Sequence, residues 1–278
     1  MPETYAHYRM GQAVRKYIGG KEKEIIEKYP ELFLIGLHGP DILFYYKPLQ
    51  SNVVNKTGYG MHERSGALFF ERAAKIARKY KNHGAYLAYI YGYICHFALD
   101  VSCHGYIDEK IEKSGISHAE IETELDRELM VKDGWDPIRK KTSGHIVPSE
   151  KNAAIIQAFY PGINERQIEK SLRGMVFYTN FLVAPGKMKR SVIYTFLKMT
   201  GHYESMQGQI VNYKKNPECA DSTEKLMSLY KDAEKLAVQL IYEYRGFLKG
   251  SEKLNKIYHY NFGSQLVGSE KKQKVPEY

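Results

Sequence analysis

The chain has 278 residues, of which 43% are hydrophobic and 26% charged, enough apolar material for the core of one large helical domain. No segment approaches the roughly 20 consecutive apolar residues of a membrane-spanning helix, and the first residues lack the basic start and apolar run of a secretory signal. We therefore expect a cytoplasmic protein without a transmembrane segment. The net charge of +9 favours anionic partners without choosing one.

Three cysteines, Cys95, Cys103 and Cys219, cannot all pair, and none lies in a Cys-x-x-Cys motif. They fit a reducing compartment and carry no metal-binding pattern of their own. We expect them in or near the core.

Helical periodicity dominates the first half of the chain. Apolar positions recur at helical spacing over residues 8–27, with an interruption at Gly19-Gly20. Residues 63–81 form an amphipathic pattern, and residues 85 to about 104 are apolar nearly all round, which is typical of a buried central helix.

The second half also has the pattern of helices separated by turns. Ser117, followed three residues later by Glu120, predicts a capping box for a helix that runs through Met130. Further helices are predicted at residues 149–160, 164–182, 187–200 and from Asp221 or Ser222 to Gly250. Loops are predicted at residues 47–59, 131–148 and 207–220, and a frayed tail from Gly268. With few alternating runs, no repeat and no dividing linker, we predict an all-α fold, one multi-helix domain over residues 1–278.

Histidines are concentrated towards the start of the chain. Seven of the ten lie in the first 118 residues: His7, His38, His62, His83, His96, His104 and His118. His96, Asp100 and His104 occupy positions i, i+4 and i+8 of the most apolar segment, so they project from one helix face. Burying two imidazoles and a carboxylate there is costly unless a cation satisfies them, and these are standard zinc ligands. The helical rise separates His96 from His104 by about 12 Å, which indicates at least two ions.

The next predicted helix repeats this spacing. His118 and Glu122 stand four residues apart, and with His104 they would form a site that leaves a position for water or phosphate. Upstream, His7, Asp41 after Gly39-Pro40, and His62 are weaker candidates, since each also fits an ordinary turn or helix-end role. The metal motif HExxH, the ferritin-like Glu-x-x-His spacing, GxSxG and the P-loop are absent from the sequence.

Eight of these residues, taken in chain order, make the sequence similar to the zinc-dependent phospholipase C family: His7, Asp41, His62, His96, Asp100, His104, His118 and Glu122. That family shares its helical fold and trinuclear zinc site with the secreted single-strand-specific zinc nucleases. The resemblance covers about residues 5 to 130. Residues 131–278 match only as generic helix.

The resemblance implies two or three zinc ions, arranged as a close pair and a separate third ion. Carried over by position, one paired ion takes Asp41, His62, His96 and Asp100; its neighbour takes His7 and the bridging Asp100; the third ion takes His104, His118 and Glu122. A water between the paired ions, its pKa lowered, would attack phosphorus, while Asp41, the implied catalytic residue, orients it or accepts its proton. The third ion would offset charge on the phosphoryl and leaving oxygens.

Two features depart from the family pattern. Secreted members hold the His7-type ion partly through a processed N-terminal Trp, whereas the one Trp of this sequence is Trp135. The N-terminal backbone or His38 would have to substitute, so we expect this ion to be the weakest bound. The interval from Asp100 to His104 is also shorter than in the secreted phospholipases, which implies a differently shaped third site.

We therefore expect a metal-dependent phosphoric ester hydrolase that cleaves a phosphodiester as a phospholipase C does. The expected partner is a phosphate-ester substrate, phospholipid and nucleic acid both being candidates, and no protein partner is implied. A nuclease or phosphatase acting on a soluble substrate is the nearest alternative. A helical binding protein with structural zinc is the alternative of another class, and closed four-ligand sites would favour it.

Overall fold

The computed structural model describes residues 4–267, and within that range the chain is helical with no β-strand. The all-α prediction is confirmed. The α-helices are α1 (Thr4–Tyr17), α2 (Gly20–Lys28), α3 (Pro30–Gly36), α4 (Val53–Glu63), α5 (Gly66–Lys79), α6 (His83–Ser114), α7 (His118–Lys132), α8 (Glu150–Ile156), α9 (Glu165–Leu182), α10 (Lys187–Met199), α11 (Tyr203–Met206) and α12 (Ala220–Lys249). Short 3-10 helices include Gly39–Tyr45, Gln157–Phe159, Gln207–Gln209, Pro217–Cys219 and Lys256–His259. The tail expected from Gly268 lies outside the described residues.

Helix α6 is the centre of the core, with α3, α5 and α12 packed around it. Its residues 85–100 are buried without exception, as their almost entirely apolar pattern predicts. The helix is longer than predicted. It continues to Ser114 and ends where Gly115 adopts the left-handed conformation, with φ of 71°, that favours glycine.

A close crossing fixes α3 against α6. A Cβ atom added to Gly36 would collide with the carbonyl oxygen of Tyr89, and one added to Gly92 would collide with that of Phe33. Two glycines at the crossing therefore let the helix backbones touch. The 3-10 helix Gly39–Tyr45 follows α3 directly, so this contact holds it beside α6.

The prediction of a loop over residues 47–59 is wrong in its second part, because α4 begins at Val53. The Asn52 side chain accepts hydrogen bonds from the backbone N–H groups of Val54 and Asn55, and the Asn55 side chain accepts one from the backbone N–H of Asn52. Two glycines inside this helix weaken its pattern in the sequence. Likewise, the helix predicted from residue 63 begins at Gly66, after a break that follows α4.

Several helices in the second half of the chain begin at residues whose side chains cap them. Ser117 accepts a hydrogen bond from the N–H of Glu120, but the Glu120 side chain does not complete the predicted capping box and instead accepts from Asn212 and Asn216. Asn164 forms a complete box with its N3 residue at the start of α9, and α12 begins one or two residues earlier than predicted. No α-helix interrupts residues 133–149, in accord with the predicted loop.

The three cysteines are buried and unpaired, as expected for core residues. Among residues 4–267, no helix combines the length and apolarity needed to cross a membrane.

Candidate metal centre

Five elements bring the eight candidate ligands together around the middle of α6. They are α1 with His7, the 3-10 helix with Asp41, α4 with His62, α6 with His96, Asp100 and His104, and α7 with His118 and Glu122. Their donor atoms form three groups, within each of which all atoms lie within 4.8 Å of one another: His7–His96–Asp100, Asp41–His62–His96 and His104–His118–Glu122. The first two groups share His96, so they form a double site beside a separate single one.

Asp100 faces both halves of the double site. Its Oδ1 lies 3.4 Å from Nε2 of His7, and its Oδ2 lies 3.2 Å from Nε2 of His96. Asp41 Oδ1 lies 2.9 Å from Nε2 of His62 and 4.0 Å from Nε2 of His96. Two ligands on one tetrahedral zinc, with bonds of about 2.0–2.1 Å, stand about 3.3 Å apart. The spacings fit metal coordination, and the two oxygens of Asp100 suit a bridging carboxylate.

In three residues of the double site, no polar side-chain atom has a hydrogen-bond partner within residues 4–267. Both ring nitrogens of His7, both of His96 and both carboxylate oxygens of Asp100 are buried and make no hydrogen bond within the described part of the chain. Unsatisfied polar groups in a core cost free energy, and native proteins avoid them. A divalent cation would satisfy these atoms together, so the donor set fits a metal.

The single site is built on one carboxylate oxygen. Oε1 of Glu122 lies 2.8 Å from Nε2 of His118 and 3.3 Å from Nε2 of His104. His104 donates through Nδ1 to the carbonyl of Phe262, at 2.7 Å, and this bond turns Nε2 towards Glu122. The side chain of His118 is 33% exposed, so this site has an open side.

A turn with a left-handed glycine brings Asp41 to the centre. Gly39 has a φ of 46°, and a Cβ atom there would collide with the ring of His96. The Gly39 carbonyl accepts a hydrogen bond from the Tyr160 hydroxyl at 3.0 Å, and the N–H of Asp41 donates to the carbonyl of His38. The Gly-Pro-Asp sequence therefore does more than form a turn, because glycine here permits contact with the α6 histidine.

Charges at the site favour an ionised Asp41 and a protonated or metal-bound His104. Burial alone would raise the pKa of Asp41, but the imidazoles of His96 and His62 hold it below its usual value. Burial opposes protonation of His104, yet the carboxylates of Asp100 and Glu122 raise its pKa to about 9. The same carboxylates that attract these protons would attract a metal cation.

The comparison with protein families agrees with this geometry. The family model described as zinc dependent phospholipase C matches residues 6–171, which is more than half of the chain and includes all eight candidate ligands. The chain belongs to the zinc-dependent phospholipase C family. No curated protein and no solved structure shows a significant match. The family match extends about 40 residues beyond the part that the sequence motifs cover, through the loop after α7 and through α8 into the first turns of α9.

Within this family match, His145 is a neighbour of the site that the sequence analysis did not single out. Its Nε2 lies 2.7 Å from Nε2 of His38, and its ring stacks on Tyr8, with ring centroids 4.4 Å apart. Nε2 of His38 therefore faces His145, and His38 belongs to none of the three ligand groups. Burial lowers the pKa of His145 to about 4, so the pair is neutral at pH 7. A lone histidine in a polar loop gives no sign of this role in the sequence.

Asp126 is a second residue that the sequence analysis missed. Its carboxylate accepts hydrogen bonds from the backbone N–H groups of Tyr5, at 2.9 Å, and Ala6, at 2.7 Å, in the first turn of α1. It thereby fixes the helix that carries His7 to the helix that carries Glu122. Asp126 continues the four-residue spacing from His118 and Glu122, and this periodicity was the available signal.

Phe262 closes the site from beyond the family match. Besides accepting the bond from His104, its backbone N–H donates to the carbonyl of His62, at 3.2 Å, and its ring lies 5.0 Å from that of His62 and 5.6 Å from that of His96. The segment after α12 therefore supports ligands from both the double and the single site.

Proposed function

We propose that this member of the zinc-dependent phospholipase C family is a phosphoesterase that cleaves a phosphodiester bond with zinc held by the eight candidate ligands. The observation that carries the proposal is the double site, in which His7, His96 and Asp100 bury polar atoms that make no hydrogen bond in the described part of the chain. Zinc bound there would supply an acidified water and positive charge for the phosphoryl oxygens. His7, Asp41, His62, His96 and Asp100, whose donor atoms come together in the double site, would hold the pair.

Asp41 is the group best suited to handle a proton. It is buried and ionised, because His96 and His62 lower its pKa, and its Oδ1 contacts Nε2 of His62. His62 donates from Nδ1 to the carbonyl of Gly58, at 2.9 Å, which fixes the orientation of its ring. A carboxylate held in this way would orient the attacking water and accept its proton.

Substrate would approach where the site is open. The side chains of His62 and His118 are 21% and 33% exposed, whereas those of the other candidate ligands are almost fully buried. Beside His62, Phe44 stacks on its ring, and the exposed Tyr59 stacks on Phe44 in turn. An aromatic wall next to a cationic cluster suits a phosphate ester with a bulky organic group, and both a phospholipid and a nucleotide have that form.

The alternative of structural zinc requires closed four-ligand sites. In the single site only three protein donors, His104, His118 and Glu122, come together in the described residues, and His118 is partly exposed. Three donors with an open side favour catalytic chemistry. A nuclease or phosphatase acting on a soluble substrate stays the nearest alternative, since the same site chemistry serves it.

The test combines metal analysis with a substrate panel. We expect the purified protein to contain zinc and to hydrolyse short-chain phosphatidylcholine in preference to single-stranded DNA, a chromogenic phosphodiester and a phosphomonoester. His96→Ala and Asp100→Asn should lose metal and lose activity on the order of 100-fold or more, because each supplies donors to the double site. Asp108→Asn, an exposed change on the same helix, is the matched control.

The outcomes separate the alternatives. Preference for DNA or for the monoester would replace the phospholipase proposal by the nuclease or phosphatase. Bound zinc without hydrolysis of any ester would favour a structural role. Full metal content and full activity in His96→Ala or Asp100→Asn would overturn the ligand assignment.

A further inference from the structure

Helix α10 exposes apolar side chains along its outer face. Met188 is 86% exposed, Val192 68%, Phe196 45% and Met199 82%. With about 100° per residue, these four positions fall within an arc of about 80° on the helix surface. We call them the α10 stripe. Isolated exposed apolar residues are ordinary, but a row of four along one helix is a contiguous patch.

Lysines border the stripe on both sides. Lys187 and Lys198 lie on one edge, roughly 80–100° from Met188, and Lys189 lies at a similar angle on the other edge. Lys189 also places its ammonium group 5.5 Å from the ring centroid of Phe181, which is 40% exposed at the end of α9. The apolar surface thus continues from α10 onto α9.

The surrounding sequence carries positive charge alone. From Lys170 to Tyr203 the chain contains no aspartate or glutamate, but six lysines or arginines. The whole chain has 32 acidic residues in 278, so a gap of this length is unusual. A protein partner that covered the stripe would have to supply a matching acidic rim, whereas the surface of an anionic bilayer supplies both negative charge and an apolar interior.

The inner side of α10 is firmly anchored. The buried guanidinium group of Arg190 donates to the carbonyls of Ala184 and Val211, and Ile193 and Leu197 pack in a small second core. The inner side of α10 thus makes the packing contacts of this helix within the described chain, and the outer stripe faces away from them. It is an apolar face on a rigid element.

Arg190, which anchors α10, also lines a cavity next to elements that support the metal centre. A cavity is lined on one side by Arg190 and Val183, and on the other by Thr4, Tyr45 and Asp126. Tyr45 ends the 3-10 helix that carries Asp41, and Asp126 caps the helix that carries His7.

The segment after α10 continues to the single site. Thr123, next to Glu122, donates through its hydroxyl to the carbonyl of Gly208 at 2.7 Å. The inner side of α10 and the segment after it thus lie beside elements that carry candidate ligands.

We propose that the α10 stripe docks the protein on the surface of a bilayer that contains anionic phospholipid. Met188, Val192, Phe196 and Met199 would enter the boundary between headgroups and acyl chains, while the flanking lysines contact lipid phosphates. The inference rests on the proposed function, because it names a membrane-bound phospholipid as the form in which substrate is presented.

The test is flotation of the full chain with vesicles of phosphatidylcholine, with and without phosphatidylserine. The stripe variant, Met188→Ser/Val192→Ser/Met199→Ser, removes three apolar side chains of the stripe. The rim variant, Lys187→Gln/Lys189→Gln/Lys198→Gln, removes the charges of the lysines that flank it. Leu68→Ser/Val131→Ser/Leu266→Ser, which changes three exposed apolar residues elsewhere, is the matched control. Circular dichroism and thermal unfolding establish that each variant is folded.

We expect the parent and the control to bind vesicles that contain phosphatidylserine, and the stripe variant to bind at least tenfold less. One kcal/mol for each lysine near an anionic surface corresponds to about fivefold in binding, so the rim variant should also lose more than tenfold and most of its salt dependence. Hydrolysis of monomeric short-chain substrate by the stripe variant should equal that of the parent.

Three outcomes would overturn the docking proposal. They are absence of vesicle binding by the parent, equal binding by the stripe variant, and a parent dimer in light scattering that the stripe variant abolishes without change in vesicle binding. The two proposals fail separately. If vesicle binding depends on the stripe but no ester is hydrolysed, the docking proposal holds and the phosphoesterase proposal is refuted. If an ester is hydrolysed but vesicle binding does not depend on the stripe, the phosphoesterase proposal holds and the docking proposal is refuted.

Discussion

Hydrogen bonding distinguishes the histidines of this protein from one another. The ring nitrogens of His7 and His96 make no hydrogen bond within residues 4–267, whereas His62 and His104 each use Nδ1 on a backbone carbonyl and turn Nε2 to a carboxylate. His38 instead directs Nε2 to His145. The histidine side chains thus have different roles, which depend on which ring nitrogen is hydrogen-bonded to a neighbouring group.

At the single site, Glu122→Gln should weaken one metal position and leave the paired ions bound. Glu122 contacts His104 and His118 but belongs to neither group of the double site, and an amide is a poorer zinc ligand than a carboxylate. Occupancies from anomalous diffraction measure the effect. Glu128→Gln, on the same helix but outside the site, should change the occupancy of no metal position. Equal loss at every position, or loss at none, would show that the third site is not separate.

The His38–His145 pair predicts an acid dependence of stability. Burial lowers the pKa of His145 in the folded state to about 4, below the value of about 6.5 expected for the unfolded chain. Between these values the unfolded chain binds a proton that the folded protein excludes. The free energy of unfolding therefore falls as the pH decreases from 7.5 to 5, by about 2 kcal/mol from this group.

In metal-free protein, His145→Gln should remove this part of the acid dependence. Denaturant unfolding at pH 7.5 and pH 5 measures it as the difference between parent and variant. His83→Gln, at an exposed position, should keep the slope of the parent. If the unfolding free energy of His145→Gln depends on pH as strongly as that of the parent, His145 is not held neutral by burial.

At the scale of elements, the metal centre depends on how helix ends are fixed. The first turn of α1 receives its cap from Asp126 on α7, and the start of α7 is capped by its own Ser117. A local cap can be read from the sequence, as Ser117 was. A cap supplied from 120 residues away cannot, because no local spacing records it.

Removal of the long-range cap in Asp126→Ala should lower the free energy of unfolding by about 1–2 kcal/mol. It should also weaken zinc binding at the double site, because His7 follows the freed turn directly. Calorimetry of zinc binding to the metal-free variant measures the second effect. Ser149→Ala, which removes the cap of α8, should cost similar stability and leave zinc affinity unchanged. Equal zinc affinity in Asp126→Ala and the parent would mean that α1 does not need this cap to position His7.

At the scale of the whole molecule, the candidate centre connects distant parts of the chain. Its ligands extend from residue 7 to residue 122, and Phe262 closes the site from the other end of the described chain. The buried polar atoms at this junction have few protein partners, so stability and metal content should be coupled.

Removal of metal with a chelator should therefore lower the melting temperature. A ligand at 100 times its Kd contributes about 2.7 kcal/mol, and for a chain of this size that loss corresponds to roughly 5–10 °C. Differential scanning fluorimetry with and without EDTA measures the shift, and added zinc should reverse it. Asp100→Asn should show a smaller shift than the parent. An unchanged melting temperature on complete removal of zinc would contradict the coupling.

The sequence by itself determined the helical class and the buried central helix, because these depend on local periodicity. The same periodicity made His96, Asp100 and His104 candidate ligands, since four-residue spacing places them on one face whatever surrounds them. His7, Asp41 and His62 became candidates through the resemblance to the family, because no local spacing links them. Only the tertiary structure decided that His96 belongs to two donor groups, that His38 pairs with His145, and that Phe262 orients His104. These contacts join backbone carbonyls and side chains far apart in the chain, and any residue can supply a carbonyl. The physical reason is that helix formation is specified within a few residues, whereas the partners of a buried nitrogen are specified by packing.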